Sequence, residues 1–424
     1  MAGKPPPVKS IEDVNAPGDT AALPEPDRLL MPPGHDAPEA ESLYFDPERW
    51  DAEVAHARMP PTDDPVIVGR GRLEGQGHAA VFLSDFHLSD GTAGGDDFLE
   101  SHLRPEDEFR GLLTGFFPPG ESRAGLVLSA LTLAFRRIAA RTGRAELPDV
   151  VLNGDVIDFL ALKGRGGSYV SRRHLPLFRA LAALRGRAGV YWLRGNHDHA
   201  VPAGPWERGE FYVNPALRVL AEHGDRWDET NWPPGPTTKG SRLVLEMGSA
   251  FEVRASVADD GTLHYLMAGL DNVRPLSDDA INGFLDRRAK YSDVAAVAAA
   301  LSRLKFVGSA DDSAAYRGAT ERRKLPDYAD WLMVQGHTHV PAAVPDEYYN
   351  LGTWMSTLVG HRRAETQIEA FPFLVAYPGA DGRRVEEFFV VRRADDQSPP
   401  VATLQSPDMV TELRKEFGYK EVRA

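Results

Sequence analysis

Along the middle of this chain, short apolar runs stop abruptly at Asp, His or Asn. Runs of β-branched and aromatic residues predict strands at Ala79–Ser84, Val150–Leu152, Val190–Leu193, Leu243–Glu246, Tyr265–Ala268 and Trp331–Val334. Stretches rich in Ala, Leu and Arg predict helices over Arg123–Thr142 and Leu175–Arg185. Strand and helix patterns that alternate in this way mark an α/β domain, which by its texture occupies residues 63–393. Near its end, Phe371–Tyr377 and Val385–Val391 flank Pro378-Gly379-Ala380-Asp381-Gly382, the pattern of a hairpin whose strands extend a second sheet. Residues 394–424 read as a surface tail with one short helix, Asp408–Phe417.

Residues 1–62 have a different texture. They are rich in Pro, Asp, Glu and Ala, as in Pro5-Pro6-Pro7 and Pro24-Glu25-Pro26, with too few apolar clusters to build a core. This predicts an extended arm whose removal leaves the core folded. The N-terminus lacks the basic start and apolar stretch of a secretory signal, which makes a cytoplasmic location the default expectation. The most apolar stretch, Leu126–Phe135, ends at Arg136-Arg137 and reads as a buried helix, too short for a transmembrane segment.

Composition narrows the chemistry. A net charge of −14 argues against stable binding of duplex nucleic acid, which needs clustered Lys and Arg. With no cysteine, any metal site is limited to His, Asp, Glu, Asn and water.

Five clusters supply such groups: Asp85-Phe86-His87, Gly154-Asp155-Val156-Ile157-Asp158, Gly195-Asn196-His197-Asp198, His223-Gly224-Asp225 and Gly336-His337-Thr338-His339. Most follow a predicted strand directly, and the carboxyl ends of strands are where open α/β sheets bind ligands. In an extended segment residues two apart face the same side, which would aim Asp85 and His87, and likewise His337 and His339, together. Taken alone, the Gly154–Asp158 segment reads better as a strand–turn–helix cap than as a metal site.

In this order the five clusters resemble the calcineurin-like metallophosphoesterase family. The resemblance implies two packed β-sheets flanked by helices, with a dinuclear site on loops at one sheet edge. It further implies that Asp85, His87, Asp155 and His339 hold one metal. Asp155 would bridge to a second, held also by Asn196, His223 and His337. His197 becomes the nearby general acid and Asp158 the carboxylate that orients it. Imidazoles, carboxylates and one amide suit Mn, Fe, Zn or Ni. Two such ions about 3.5–4 Å apart activate a bridging hydroxide for in-line attack on phosphorus.

The branch within the family is less sharply marked. Protein Ser/Thr phosphatases continue the second and third motifs with Arg and Glu, where this chain has Phe159 and Asp198. His223-Gly224-Asp225 is similar to bacterial UDP-diacylglucosamine pyrophosphohydrolases, yet those carry Arg where His197 stands. The expected substrate is therefore an anionic phosphorylated small molecule: a phosphomonoester, phosphodiester or pyrophosphate. A nuclease of the same fold and a non-catalytic metal-binding scaffold are the competing readings.

Arg194 is a candidate phosphate contact, although an Arg at a strand end also suits an ion pair. Asn350, in Tyr348-Tyr349-Asn350-Leu351-Gly352, reads as part of a structural turn. Between the fourth and fifth motifs a partly helical insertion, residues 231–330, carries Arg287, Arg288, Lys290, Arg303, Lys305, Arg317, Arg322, Arg323 and Lys324. It reads equally well as a basic lid over an anionic substrate and as a helix pair whose Arg residues balance neighbouring carboxylates.

Overall fold

The computed structural model describes residues 8–27, 30, 64–88, 123–157, 174–184, 187–195, 198, 207–227, 314–354, 357–360, 365–393 and 399–416. The predicted strands at Leu243–Glu246 and Tyr265–Ala268 lie outside them, as does most of the insertion.

The strands, in chain order, are β1 (Val8–Lys9), β2 (Thr20–Ala22), β3 (Arg72–Glu74), β4 (Ala80–Leu83), β5 (Asp149–Leu152), β6 (Val190–Leu193), β7 (Glu207–Gly209), β8 (Phe211–Asn214) and β9 (Val219–Glu222). They continue with β10 (Leu332–Gln335), β11 (Pro341–Val344), β12 (Tyr348–Leu351), β13 (Thr357–Gly360), β14 (Glu365–Ile368), β15 (Phe371–Pro378), β16 (Arg384–Arg392) and β17 (Val401–Leu404). The helices are α1 (Pro65–Val68), α2 (Arg123–Thr142), α3 (Leu175–Leu184), α4 (Ala314–Arg323) and α5 (Pro407–Glu416).

A nine-stranded sheet runs β1-β2-β17-β16-β15-β4-β5-β6-β7, and a six-stranded sheet runs β11-β12-β10-β9-β8-β3. Alternation along each strand explains their stacking. On β4, Val81 and Leu83 face the core that holds α2 and α3, while Ala80 and Phe82 face Tyr212, Val219 and Val334 of the other sheet. On the far side of that sheet, Phe211, Leu220, Met333 and Tyr348 pack with Ala319 of α4. Helices thus cover both outer faces of two stacked sheets, the architecture expected from the sequence. The predicted helix Arg123–Thr142 is α2, residue for residue.

Three expectations are corrected. Residues 394–424 are more than a surface tail, since β17 pairs with β16 and β2, and Val410 and Leu413 of α5 are buried in the core. The hairpin forms, with Phe371 opposite Val391, but it joins the first sheet, because β15 pairs antiparallel with β4 through Leu374↔Phe82. Its apolar run is buried on both faces: Phe373 and Val375 reach the helical layer, Leu374 and Ala376 the other sheet. Such a run marks a central strand without saying which sheet it enters.

Nor is the N-terminal segment a detached arm over its described part. β2 pairs with β17 through Ala21↔Ala402, Val14 and Ala21 are fully buried, and the Ile11 carbonyl accepts 2.8 Å from Arg137 Nη1. Two short strands need only a few apolar residues when a ready sheet edge supplies their backbone partners. Deleting residues 1–27 is therefore expected to cost on the order of 3 kcal/mol, from lost Val14 burial and an Arg137 donor left unpaired. A thermal melt unchanged by the truncation would contradict this.

Candidate metal centre

The clusters sit where strands end. Asp85 and His87 follow β4, Asp155 follows β5, His223 follows β9, and His337 and His339 follow β10. Backbone pairing carries on past the strands: Asp85 N donates to Gly154 O at 3.1 Å and His87 N to Asp155 O at 2.9 Å. Gly336 N likewise donates to His223 O at 2.9 Å.

These loops do not run extended, as the two-apart argument assumed. Asp85, His87, Asp155, His337 and His339 all take positive φ, from 49° to 69°. Non-glycine residues seldom adopt this left-handed conformation and concentrate at functional sites when they do. The consequence is that His337 and His339 diverge into different groups. Asp85, His87 and His339 form one cluster, and Asp155, His223 and His337 the other, each with its ligating atoms within 4.8 Å of one another.

The two clusters meet at Asp155. Its Oδ2 lies 3.1 Å from His223 Nε2 and 3.6 Å from His87 Nε2. In the first cluster His87 Nε2 and His339 Nε2 stand 3.1 Å apart, and His339 Nε2 is 3.2 Å from Asp85 Oδ1. All but the edge of this centre is buried, with His339 14% exposed and Asp85 fully enclosed.

Local packing fixes the ligand orientations. His223 Nδ1 lies 2.8 Å from the carbonyl of Asn153, which can only accept, so Nδ1 carries the proton and Nε2 is left to face Asp155. Gly154, at φ 87°, makes room for this ring, since a Cβ there would lie 2.4 Å from His223 Nδ1. Asp85 is held through its carbonyl by Thr353 Oγ1 at 2.9 Å and Trp354 N at 3.1 Å, and its carboxylate accepts from Ser84 Oγ and His337 N. Asn350 acts as the expected structural turn: its Nδ2 donates to Gly336 O at 2.7 Å and its Oδ1 accepts from Gly352 N at 3.0 Å.

Electrostatics match this crowding. Burial alone would lower the His223 pKa, but Asp155 and Asp85 together raise it to about 10. Burial would raise that of Asp85, yet His223, His339 and His87 hold it well below the carboxylate range. Without metal, His223 is thus protonated at neutral pH and bonded to Asp155. That contribution to stability is complete below the ordinary value of 6.5 and is lost as pH rises through about 10. A divalent ion binding at Nε2 must displace this proton. Mn binding at pH 7 is expected to release about one proton from His223, detected by calorimetry in buffers of different ionisation enthalpy. Binding without proton release would show that the ion does not contact His223.

The donor set therefore fits metal ions: nitrogen and oxygen only, lone pairs crowded together and the His223 tautomer fixed from behind. A family model described as calcineurin-like phosphoesterase matches residues 79–343, more than half of the chain. The chain belongs to the calcineurin-like phosphoesterase family. No curated protein shows a significant match to the sequence. Among the described residues, no helix is long and apolar enough to cross a membrane.

Family membership makes this calcineurin-like phosphoesterase a hydrolase of phosphoesters by class. Asp158, Asn196 and His197, also singled out in the sequence, lie outside the described residues. Arg194 gives Nε to Glu210 at 2.6 Å and Nη1 to Asp225 at 3.0 Å, the ion-pair arrangement its place at a strand end also allowed. Burial would lower its pKa, but Asp225 and Glu210 raise it above the ordinary arginine value.

One residue of the third motif proves more important than its sequence suggested. Asp198 is completely buried and accepts from Val156 N at 2.8 Å, Gly195 N at 2.7 Å and Trp192 Nε1 at 2.9 Å. It fastens the turn that carries Asp155 to the one that leads to Asn196. Burial, then the charge of Asp155, raises its pKa to about 6. The signal was present in its place beside His197, but nothing local says that it faces inward.

Proposed function

We propose that the chain is a dinuclear metal-dependent hydrolase of small phosphorylated molecules, in which Asp155 would help to hold both ions. The observation that carries this reading is Asp155 Oδ2 standing between His87 Nε2 and His223 Nε2, where the two clusters touch. Asp85, His87 and His339 would complete one site; His223, His337 and Asn196 would complete the other. When bound, ions such as Mn, Fe, Zn or Ni supply Lewis acidity and an activated water.

The side chains do the remaining work. The loops after β4, β5 and β10 hold Asp85, His87, Asp155, His337 and His339 in left-handed backbone geometry, a preorganised arrangement suited to stabilising charge that builds on the phosphoryl oxygens. His197 is assigned the protonation of the leaving oxygen, with Asp158 fixing its tautomer. Arg194 is assigned to holding the loop before Asn196, since two carboxylates already take its Nε and Nη1.

Over residues 322–324 the basic side chains have partners inside the domain. There Arg322 pairs with Glu222, Lys324 pairs with Glu321, and Arg323 Nη1 donates to the carbonyls of Trp331 and Asp346. These charges answer partners within the domain, and a small anionic substrate does not need the extended basic groove of a nuclease.

The expected result is Mn-dependent turnover of at least one of a phosphomonoester, a phosphodiester and a pyrophosphate, abolished by a chelator. Cleavage of single-stranded DNA in preference to all three would favour the nuclease, and a metal-loaded protein inert toward all of them the scaffold.

A further inference from the structure

The side chain of Glu222 lies at the end of β9, directly before His223. Four donors converge on it. Arg322 gives Nε at 3.1 Å and Nη2 at 2.6 Å, Trp227 gives Nε1 at 2.9 Å, and Gln335 gives Nε2 at 3.0 Å. Gln335 ends β10, two residues before His337. On its other side Arg322 reaches Asp64, which also accepts from Arg226, and its guanidinium lies 4.9 Å from the Trp227 ring centre. Helix α4 approaches that indole so closely that a Cβ on Gly318 would sit 2.1 Å from Trp227 Cδ1. Trp227 and α4 are the two ends of the long segment between the fourth and fifth motifs.

Resting on the dinuclear reading above, we propose that Glu222, Arg322 and Gln335 form a positioning device for the second metal site, holding His223 and His337 in register from the root of that segment. A fully buried ion pair is a poor stabiliser compared with apolar side chains of the same size, so its value here lies in fixing geometry. The carboxylate ties the ends of two parallel strands at the one point where each turns into a ligand loop. The first site has additional supports of its own, in Ser84, Thr353 and Trp354 around Asp85, and shares with the second the Asp155 carboxylate, the His337 N–H bond to Asp85 and the loop after β10. Disturbing the Glu222 network should therefore weaken the second site more than the first.

The test titrates the metal-free full chain with Mn(II), following two-site binding by calorimetry and the exchange-coupled dinuclear signal by electron paramagnetic resonance. Arg322→Met is expected to weaken the second site by about 10- to 100-fold, the usual effect of losing an outer partner of a ligand, and the first site by much less. At Mn concentrations that fill both sites of the unmodified protein, the variant should give a mononuclear spectrum. Arg137→Met is the control. It breaks the buried pair with Glu387, remote from the centre, and is expected to lower the melting temperature with both sites retained. Unchanged affinities in Arg322→Met, equal loss at both sites, or second-site loss in Arg137→Met would each overturn the proposal. If Arg322→Met does not fold, Gln335→Leu decides, because it leaves the charges paired; it should weaken the second site selectively, and no change would overturn the idea. Unmodified protein that binds no Mn would instead strike down the dinuclear reading itself.

Discussion

Asp155→Ala is expected to lose both metal ions and activity toward every substrate at once. The physical reason is that one carboxylate oxygen lies against a histidine of each cluster, His223 Nε2 at 3.1 Å and His87 Nε2 at 3.6 Å. Without it, the imidazoles of both groups crowd together with less negative charge to balance two cations. The affinity loss should exceed the about 10- to 100-fold that follows removal of an outer-shell partner. Elemental analysis after reconstitution with Mn, alongside turnover of an aryl and an alkyl phosphate, measures it. Retention of two ions per chain in the variant would mean that Asp155 does not bridge.

His197→Ala should behave in the opposite way. A general acid can be removed without disturbing the ligands, so both metals should remain while the rate falls by roughly 10²- to 10⁴-fold. The size of the loss should track the leaving group. An aryl phosphate departs as a stable anion and needs little protonation, whereas an alkyl or sugar phosphate departs as a basic alkoxide. Equal losses on paired aryl and alkyl substrates, or loss of metal from the variant, would remove His197 from the acid role.

The contrast between these variants also shows which parts of the centre could be read from the chain alone. Asp85, His87, Asp155, His337 and His339 stand out in the sequence because each lies just past a predicted strand, and His223 because it opens the His-Gly-Asp triplet. The structure brings all six together. The supports behind them are harder to see. Glu222 and Arg322 lie 100 positions apart, as Thr353 and Asp85 lie 268 apart, and only the folded chain makes them neighbours. Asp198 looks like one more polar residue in a motif until burial shows that it accepts three N–H groups.

Short strands explain the remaining gaps in the fold. β8, β9 and β12 are four residues long and buried throughout, so they show no alternation to detect. Local sequence determined the α/β class, helix α2, the strands β4 to β6 and the ligands that follow them, because periodicity and strand-end chemistry are properties of neighbouring residues. Tertiary structure alone decided that the hairpin joins the first sheet, that residues 8–22 add to its edge, and that His337 and His339 part company. Those outcomes depend on which distant backbone offers a free partner and on left-handed turns held in place by surrounding packing, neither of which leaves a mark on adjacent positions of the chain.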